Sequence, residues 1–179
     1  MVYVMLGSGF EEIEAITPID LLRRAGIGVI TVGLNGQTIT GGHGIAVHAD
    51  ITIDQMSWDD LDMVVLPGGL GGVSSIKACP KALDTVRYAY KNGKWVAAIC
   101  AAPTILANLG ITDGKQAVCY PGCESEMGSA QMADTACVRD GKVLTGTSAG
   151  CAIPFALELI TVLRGADVAA QIKEQIVIR

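Results

Sequence analysis

Short aliphatic runs alternate with longer amphipathic stretches along this chain. Residues 2–6, 27–32, 63–66 and 95–99 are almost wholly apolar, which predicts buried strands. Residues 11–25 repeat differently: Ile13, Ile16, Leu21 and Leu22 give a helical face, Pro18 threatens a kink, and Gly26 ends the helix. Residues 80–91 open with Pro80, pack Leu83, Val86 and Tyr90, turn Arg87 and Lys91 outward, and stop before Gly93. Glycines 36, 41, 42 and 44 cut residues 33–54 into small strands or a hairpin. Residues 115–119 predict a short strand, and 120–132 a loop with a short helix. An Asp140–Gly141 turn between apolar pieces 136–138 and 142–145 predicts a hairpin. Helices follow over 152–163 and 166–175, separated by Gly165. This order predicts an α/β sandwich, one domain over residues 1–179, with its site outside the carboxyl ends of the strands.

Composition narrows the picture. Aromatic residues are only 4% of the chain while 50% is hydrophobic and 22 residues are glycine, which fits aliphatic strands and close backbone packing. The net charge of −5 comes without a Lys/Arg cluster, so nothing calls for a nucleic-acid partner. No apolar stretch reaches the length of a membrane span, and the first residues lack the regions of a signal peptide; a cytoplasmic location is expected. Six cysteines (79, 100, 119, 123, 137 and 151) then read mostly as small buried hydrophobes rather than a disulfide framework. Cys119 and Cys123 lack a neighbouring histidine to build a zinc site. No metal and no cofactor are expected.

Candidate chemistry centres on Cys100, which lies between the strand at 95–99 and a helical stretch over 101–109. A thiol in that corner is exposed at the sheet edge, and the helix terminus favours its thiolate. A second strand-to-helix corner, GSGFEEIEA, brings carboxylates. Glu14 is the candidate partner of the thiol, and Glu11 and Glu12 read as solvated or as satisfying the helix start. The Pro67–Gly72 run PGGLGG lacks both a P-loop ending and dinucleotide spacing, so it reads as a glycine-rich bend whose amides line a pocket. His43 and His48 read as surface or interface residues, and Glu124 and Glu126 as a solvated face.

GSGFEEIEAITPIDLLRRAGI, LPGG, AAICAAPTIL, AGCAIPFALELI and VAAQIKEQIVIR, in that order, resemble the ThiJ/PfpI superfamily in its parkinsonism-associated deglycase-like branch. The resemblance spans nearly the whole chain. It implies a flavodoxin-like three-layer sandwich with a mostly parallel central sheet, in a homodimer. It implies that Cys100 is the oxidation-prone nucleophile and Glu14 its proton-relaying acid. Gly69 and the Ala101 amide would then line the oxyanion side. The implied activity is glutathione-independent conversion of methylglyoxal or similar 2-oxoaldehydes, small reactive aldehydes, to 2-hydroxy acids, with deglycase-like repair of glycated proteins beside it. The alternatives are an oxidative-stress sensor or chaperone-like dimer using Cys100, and an amidase or peptidase. Ala101 stands where peptidase-like members carry histidine. Tyr120 replaces a pocket histidine of near relatives, and Thr147 replaces an arginine, so both are candidate pocket positions.

Overall fold

The computed structural model describes residues 1–178. In chain order its strands are β1 (Val2–Leu6), β2 (Val29–Gly33), β3 (Thr38–Thr40), β4 (Ala46–His48), β5 (Ile51–Thr52), β6 (Met63–Leu66), β7 (Trp95–Ile99), β8 (Gln116–Ala117), β9 (Gln131–Met132), β10 (Cys137–Asp140) and β11 (Val143–Gly146). Its helices are α1 (Glu12–Arg24), α2 (Leu70–Lys77), α3 (Pro80–Lys91), α4 (Pro103–Asn108), α5 (Ala152–Arg164) and α6 (Ala166–Gln175). Seven strands form one sheet in the order β10-β11-β7-β6-β1-β2-β5. Every pairing in it is parallel except the β10–β11 hairpin. This is the α/β sandwich that the alternating pattern predicts, in the flavodoxin-like three-layer form with a mostly parallel central sheet that the resemblance implies.

Alternation along the strands builds the layers. Val2, Val4 and Leu6 of β1 share one apolar cluster with Leu22 of α1, Phe155 and Leu159 of α5, and Ile172 of α6. Tyr3 and Met5 point to the other face, with Ile76 of α2, Val86 of α3 and Ile105 of α4. Because both faces are covered, β1 and β6 are buried at every position. Among the described residues no helix is long and apolar enough to cross a membrane.

Several predicted boundaries shift. The strand expected over 115–119 is reduced to the two residues of β8, paired with β9 in a small separate ladder. The glycine run does not remain a bend throughout, since α2 begins at Leu70 and takes Gly71 and Gly72 into its first turn. Those two residues pack against the backbone of Gly9 and Phe10, where a Cβ would come within 2.9 and 2.8 Å. Helix α1 continues through Pro18 rather than breaking there. Only Cys119 is fully buried; the other five cysteines are partly exposed, and all six are free thiols.

Candidate active site

The sheet order reverses at β1, with β2 on one side and β6 on the other. A crevice outside the strand ends forms at such a reversal. The segments leaving β1, β6 and β7 meet there. They bring Glu14 on α1, the loop Gly68–Gly69, and Cys100.

Cys100 adopts a left-handed backbone conformation, with φ +68°. Such a conformation is uncommon outside glycine and persists only where the surroundings impose it. Here the Cys100 amide donates to the Gly146 carbonyl at the end of β11 (2.9 Å), and its carbonyl accepts from the Tyr120 amide (2.7 Å). Pinned at both ends, the residue turns its side chain out of the strand direction at the sheet edge.

Glu14 is 1% exposed. Its Oε2 accepts from the Gly68 amide at 2.9 Å, while Oε1 is buried and, among the described residues, has no close hydrogen-bond partner. Burial raises the Glu14 pKa, against the opposing pull of the Cys100 thiol and the Gly68 amide. Gly68, lacking a side chain, leaves the space in which the two groups meet. A Cβ built there would lie 2.5 Å from Glu14 Oε2, 2.6 Å from Cys100 Cβ and 3.1 Å from Cys100 Sγ. Only glycine fits between acid and thiol without displacing one of them.

The electrostatics correct one expectation. Helix α4 begins only at Pro103 and is six residues long, so the thiol gains little from a helix terminus. Burial, with the Glu14 charge and hydrogen bond behind it, pushes the Cys100 thiol up to about 12, while the amides of Ala101 and Gly69 pull the other way. Burial thus disfavours a charge on either group, and in the singly ionised pair one proton is shared between thiol and carboxyl. Moving that proton from sulfur to Glu14 leaves the net charge unchanged and gives a thiolate facing two amides and a carboxylic acid.

Around Cys100 lies a pocket of about 280 Å³ lined by Glu11, Gly69, Leu70, Ala101, Tyr120 and Cys123. Tyr120, Gly69 and Ala101 therefore line the same pocket as Cys100. Thr147 does not: it is absent from this lining, and its hydroxyl donates to the carbonyls of Thr135 (2.8 Å) and Ala136 (3.1 Å). Glu12 is also corrected, being 6% exposed rather than solvated. It accepts from the His43 amide at 2.8 Å and sits 3.0 Å from His43 Nδ1, latching the β3–β4 turn onto α1. Glu11, Glu12 and His43 bring three potential ligand atoms within 4.8 Å of one another, but both oxygens of Glu12 are already occupied by His43. His48 Nδ1 lies 3.3 Å from Thr38 Oγ1, and neither histidine lines the Cys100 pocket.

Residues 1–162 match the DJ-1/PfpI family. The chain belongs to that family. Its DJ-1/PfpI relatives include dj-1beta of Drosophila melanogaster, 37% identical over 167 residues that span 92% of this chain and 89% of the relative. The crystal structure of that protein superposes with a TM-score of 0.94 at 35% identity, covering 99% of this chain and 97% of that one. An oxidised DJ-1 of Toxoplasma gondii matches with a TM-score of 0.94 at 30% identity, covering 98% and 96%. A deglycase of Pyrococcus horikoshii is 34% identical over 142 residues, or 78% of this chain and 85% of the relative. The superfamily resemblance of the sequence is thus borne out along most of the chain.

Gly68 is the site residue that sequence reasoning passed over. Four glycines in PGGLGG look interchangeable in one dimension, and only the fold shows which amide meets Glu14 and which Cα leaves room for the sulfur beside it. Leu70 and Glu11 were likewise not singled out for the pocket, because each lies next to a stronger motif residue.

Proposed function

We propose that this protein converts methylglyoxal and similar 2-oxoaldehydes to 2-hydroxy acids, using Cys100 and Glu14 and without glutathione. The observation that carries the reading is the buried Glu14 carboxyl facing the Cys100 thiol beside Gly68. A carboxyl whose pKa burial raises is a better base towards the thiol and returns the proton afterwards as an acid. Glu14 takes the thiol proton, and the thiolate adds to the aldehyde carbon. The new oxyanion, its oxygen held by the amides of Gly69 and Ala101, takes that proton back from Glu14 and becomes a hemithioacetal. Glu14, again a carboxylate, removes the proton on the former aldehyde carbon to give an enediolate and returns it to the neighbouring carbon, while the hydroxyl proton passes from the first oxygen to the second. The product is a thioester of the 2-hydroxy acid, which water cleaves to release the acid and the Cys100 thiol. Each step uses groups of the chain and water alone.

A pocket of about 280 Å³ suits a small carbonyl compound, and the Pyrococcus relative named as a deglycase points to the same class of electrophile. Early protein adducts of such aldehydes are hemithioacetals and aminocarbinols in equilibrium with the free aldehyde. Deglycase-like behaviour follows from consuming it. Amide or peptide hydrolysis is less favoured, because neither histidine lines the pocket. The homodimer is part of the proposal. Ile16 of α1 and Ile153 of α5, each 40% exposed, line one surface hollow with Leu21, and such a face suits a second copy. A cytoplasmic location is proposed with it.

The test is lactate production from methylglyoxal without glutathione, by the wild type, Cys100→Ser and Glu14→Gln at matched concentration. Turnover lost in both variants supports the reading. No turnover above a protein blank by a folded wild type overturns it and moves the role to redox sensing.

A further inference from the structure

The pocket holds a second thiol for which the aldehyde chemistry has no use. Cys123 lines it together with Cys100, and no other cysteine does. The backbone ties the two residues closely. Tyr120 donates its amide to the Cys100 carbonyl at 2.7 Å, and Cys123 donates its amide to the Tyr120 carbonyl at 3.0 Å, closing a turn over Pro121 and Gly122. In such a turn the first and fourth Cα atoms lie within about 7 Å of each other. The base of the Cys123 turn is thereby fastened to the residue that carries the reactive sulfur.

The same turn is free to adjust. Residues 120–122 are exposed, and Gly122 sits at φ +97°. Its other ties are the Gly122 amide to Glu124 Oε2 (2.8 Å), the Glu126 amide to the Cys123 carbonyl (3.0 Å) and, further on, the surface pair Lys77–Glu126 (3.3 Å). Disulfide geometry requires Cα atoms roughly 4.4–6.8 Å apart. A small hinge of an exposed turn reaches it more cheaply than a shift of a core strand. Cys119 is four residues before Cys123 and packs with it in a small cluster, but it is 5% exposed and does not line the pocket.

We propose that Cys123 is a resolving thiol for Cys100, making the pocket a site of hydroperoxide reduction that closes by a reversible Cys100–Cys123 disulfide. The Cys100 thiolate attacks one oxygen of a hydroperoxide. The O–O bond breaks, sulfur is oxidised to the sulfenic acid, and the alcohol or water leaves with the proton released from the thiol. The Cys123 thiol then attacks the Cys100 sulfur, the S–O bond breaks, and the hydroxyl leaves as water with the Cys123 proton. An external dithiol restores both thiols by exchange. Without Cys123 the sulfenic acid meets more peroxide and proceeds to sulfinic acid, which thiols do not reverse. This inference does not depend on aldehyde turnover.

The experiment treats the folded protein with hydrogen peroxide, blocks free thiols with an alkylating agent and maps peptides by mass spectrometry without reduction. Trypsin cleavage after Lys115 separates Cys100 from Cys119 and Cys123, so a bridge appears as two joined peptides lighter by two hydrogens. In the wild type and in Cys119→Ser, the expected result is a joined pair that dithiothreitol splits. In Cys123→Ser the joined pair disappears and Cys100 sulfinic acid becomes the dominant product. Sulfinic acid dominating equally in the wild type and Cys123→Ser would overturn the proposal. A bridge that survives in Cys123→Ser, or one confined to Cys119–Cys123, would overturn it as well.

Discussion

Replacing Gly68 by alanine tests whether the acid–thiol pair depends on the gap between them. The added methyl meets Glu14 Oε2 at 2.5 Å, Cys100 Cβ at 2.6 Å and Cys100 Sγ at 3.1 Å. None of these neighbours yields easily: Glu14 is buried on α1, and Cys100 is held by backbone bonds on both sides. Overpacking of this kind costs about 1–3 kcal/mol. Gly68 is not in the left-handed region, so alanine also removes unfolded-state freedom, which offsets about 0.4–1 kcal/mol. The net loss is about 1–2 kcal/mol, or a fall in Tm of about 2–8 °C for a chain of this size. Displacing one partner by an ångström costs catalysis about 100-fold. The assay pairs a thermal melt with initial-rate lactate formation, using Gly150→Ala as control because its Cβ meets only Ser148 Oγ at 3.8 Å. A Gly68→Ala protein that melts and turns over like the wild type would refute the reasoning.

Two further outcomes concern the scaffold. Phe155 is fully buried against Gly146 and Ile99, so Phe155→Ala is expected to cost about 3–5 kcal/mol in chemical denaturation. The Glu12–His43 latch gives stability a pH window. Its hydrogen bond with Glu12 raises the His43 pKa, so that contribution is full below the ordinary value of 6.5 and is lost as pH rises through the raised one. Burial pushes Glu12 up, but the His43 imidazole and amide outweigh it and hold it below 4.5; its contribution is full above that value and lost as pH falls. Melting curves across pH should show His43→Asn removing the loss on the alkaline side; an unchanged profile would show that the latch does not contribute.

Much of the sheet was legible because buried parallel strands leave an unmistakable mark: VYVML, MVVL and WVAAI carry no polar residue. Cys100 and Glu14 were legible from their corners and from motifs in order. The helix-end argument failed because a strand-to-helix junction in sequence does not say how many residues the turn consumes, and Ala101 and Ala102 are spent before α4 begins. Glu12 was misread because its partner His43 lies 31 residues away, and nothing local distinguishes a carboxylate that will be latched from one that stays in water. Thr147 follows β11, near the Cys100 corner in topology, but its hydroxyl is drawn to the backbone before β10.

The left-handed conformation of Cys100 makes this position a standing debt against stability. A non-glycine residue held there costs on the order of 1–3 kcal/mol, and glycine would relieve it. Selection for a stable fold alone therefore favours losing the sulfur at this position. A lineage that keeps cysteine here keeps it for its chemistry, and in a copy of the gene released from that duty residue 100 is among the first places where drift towards glycine would register.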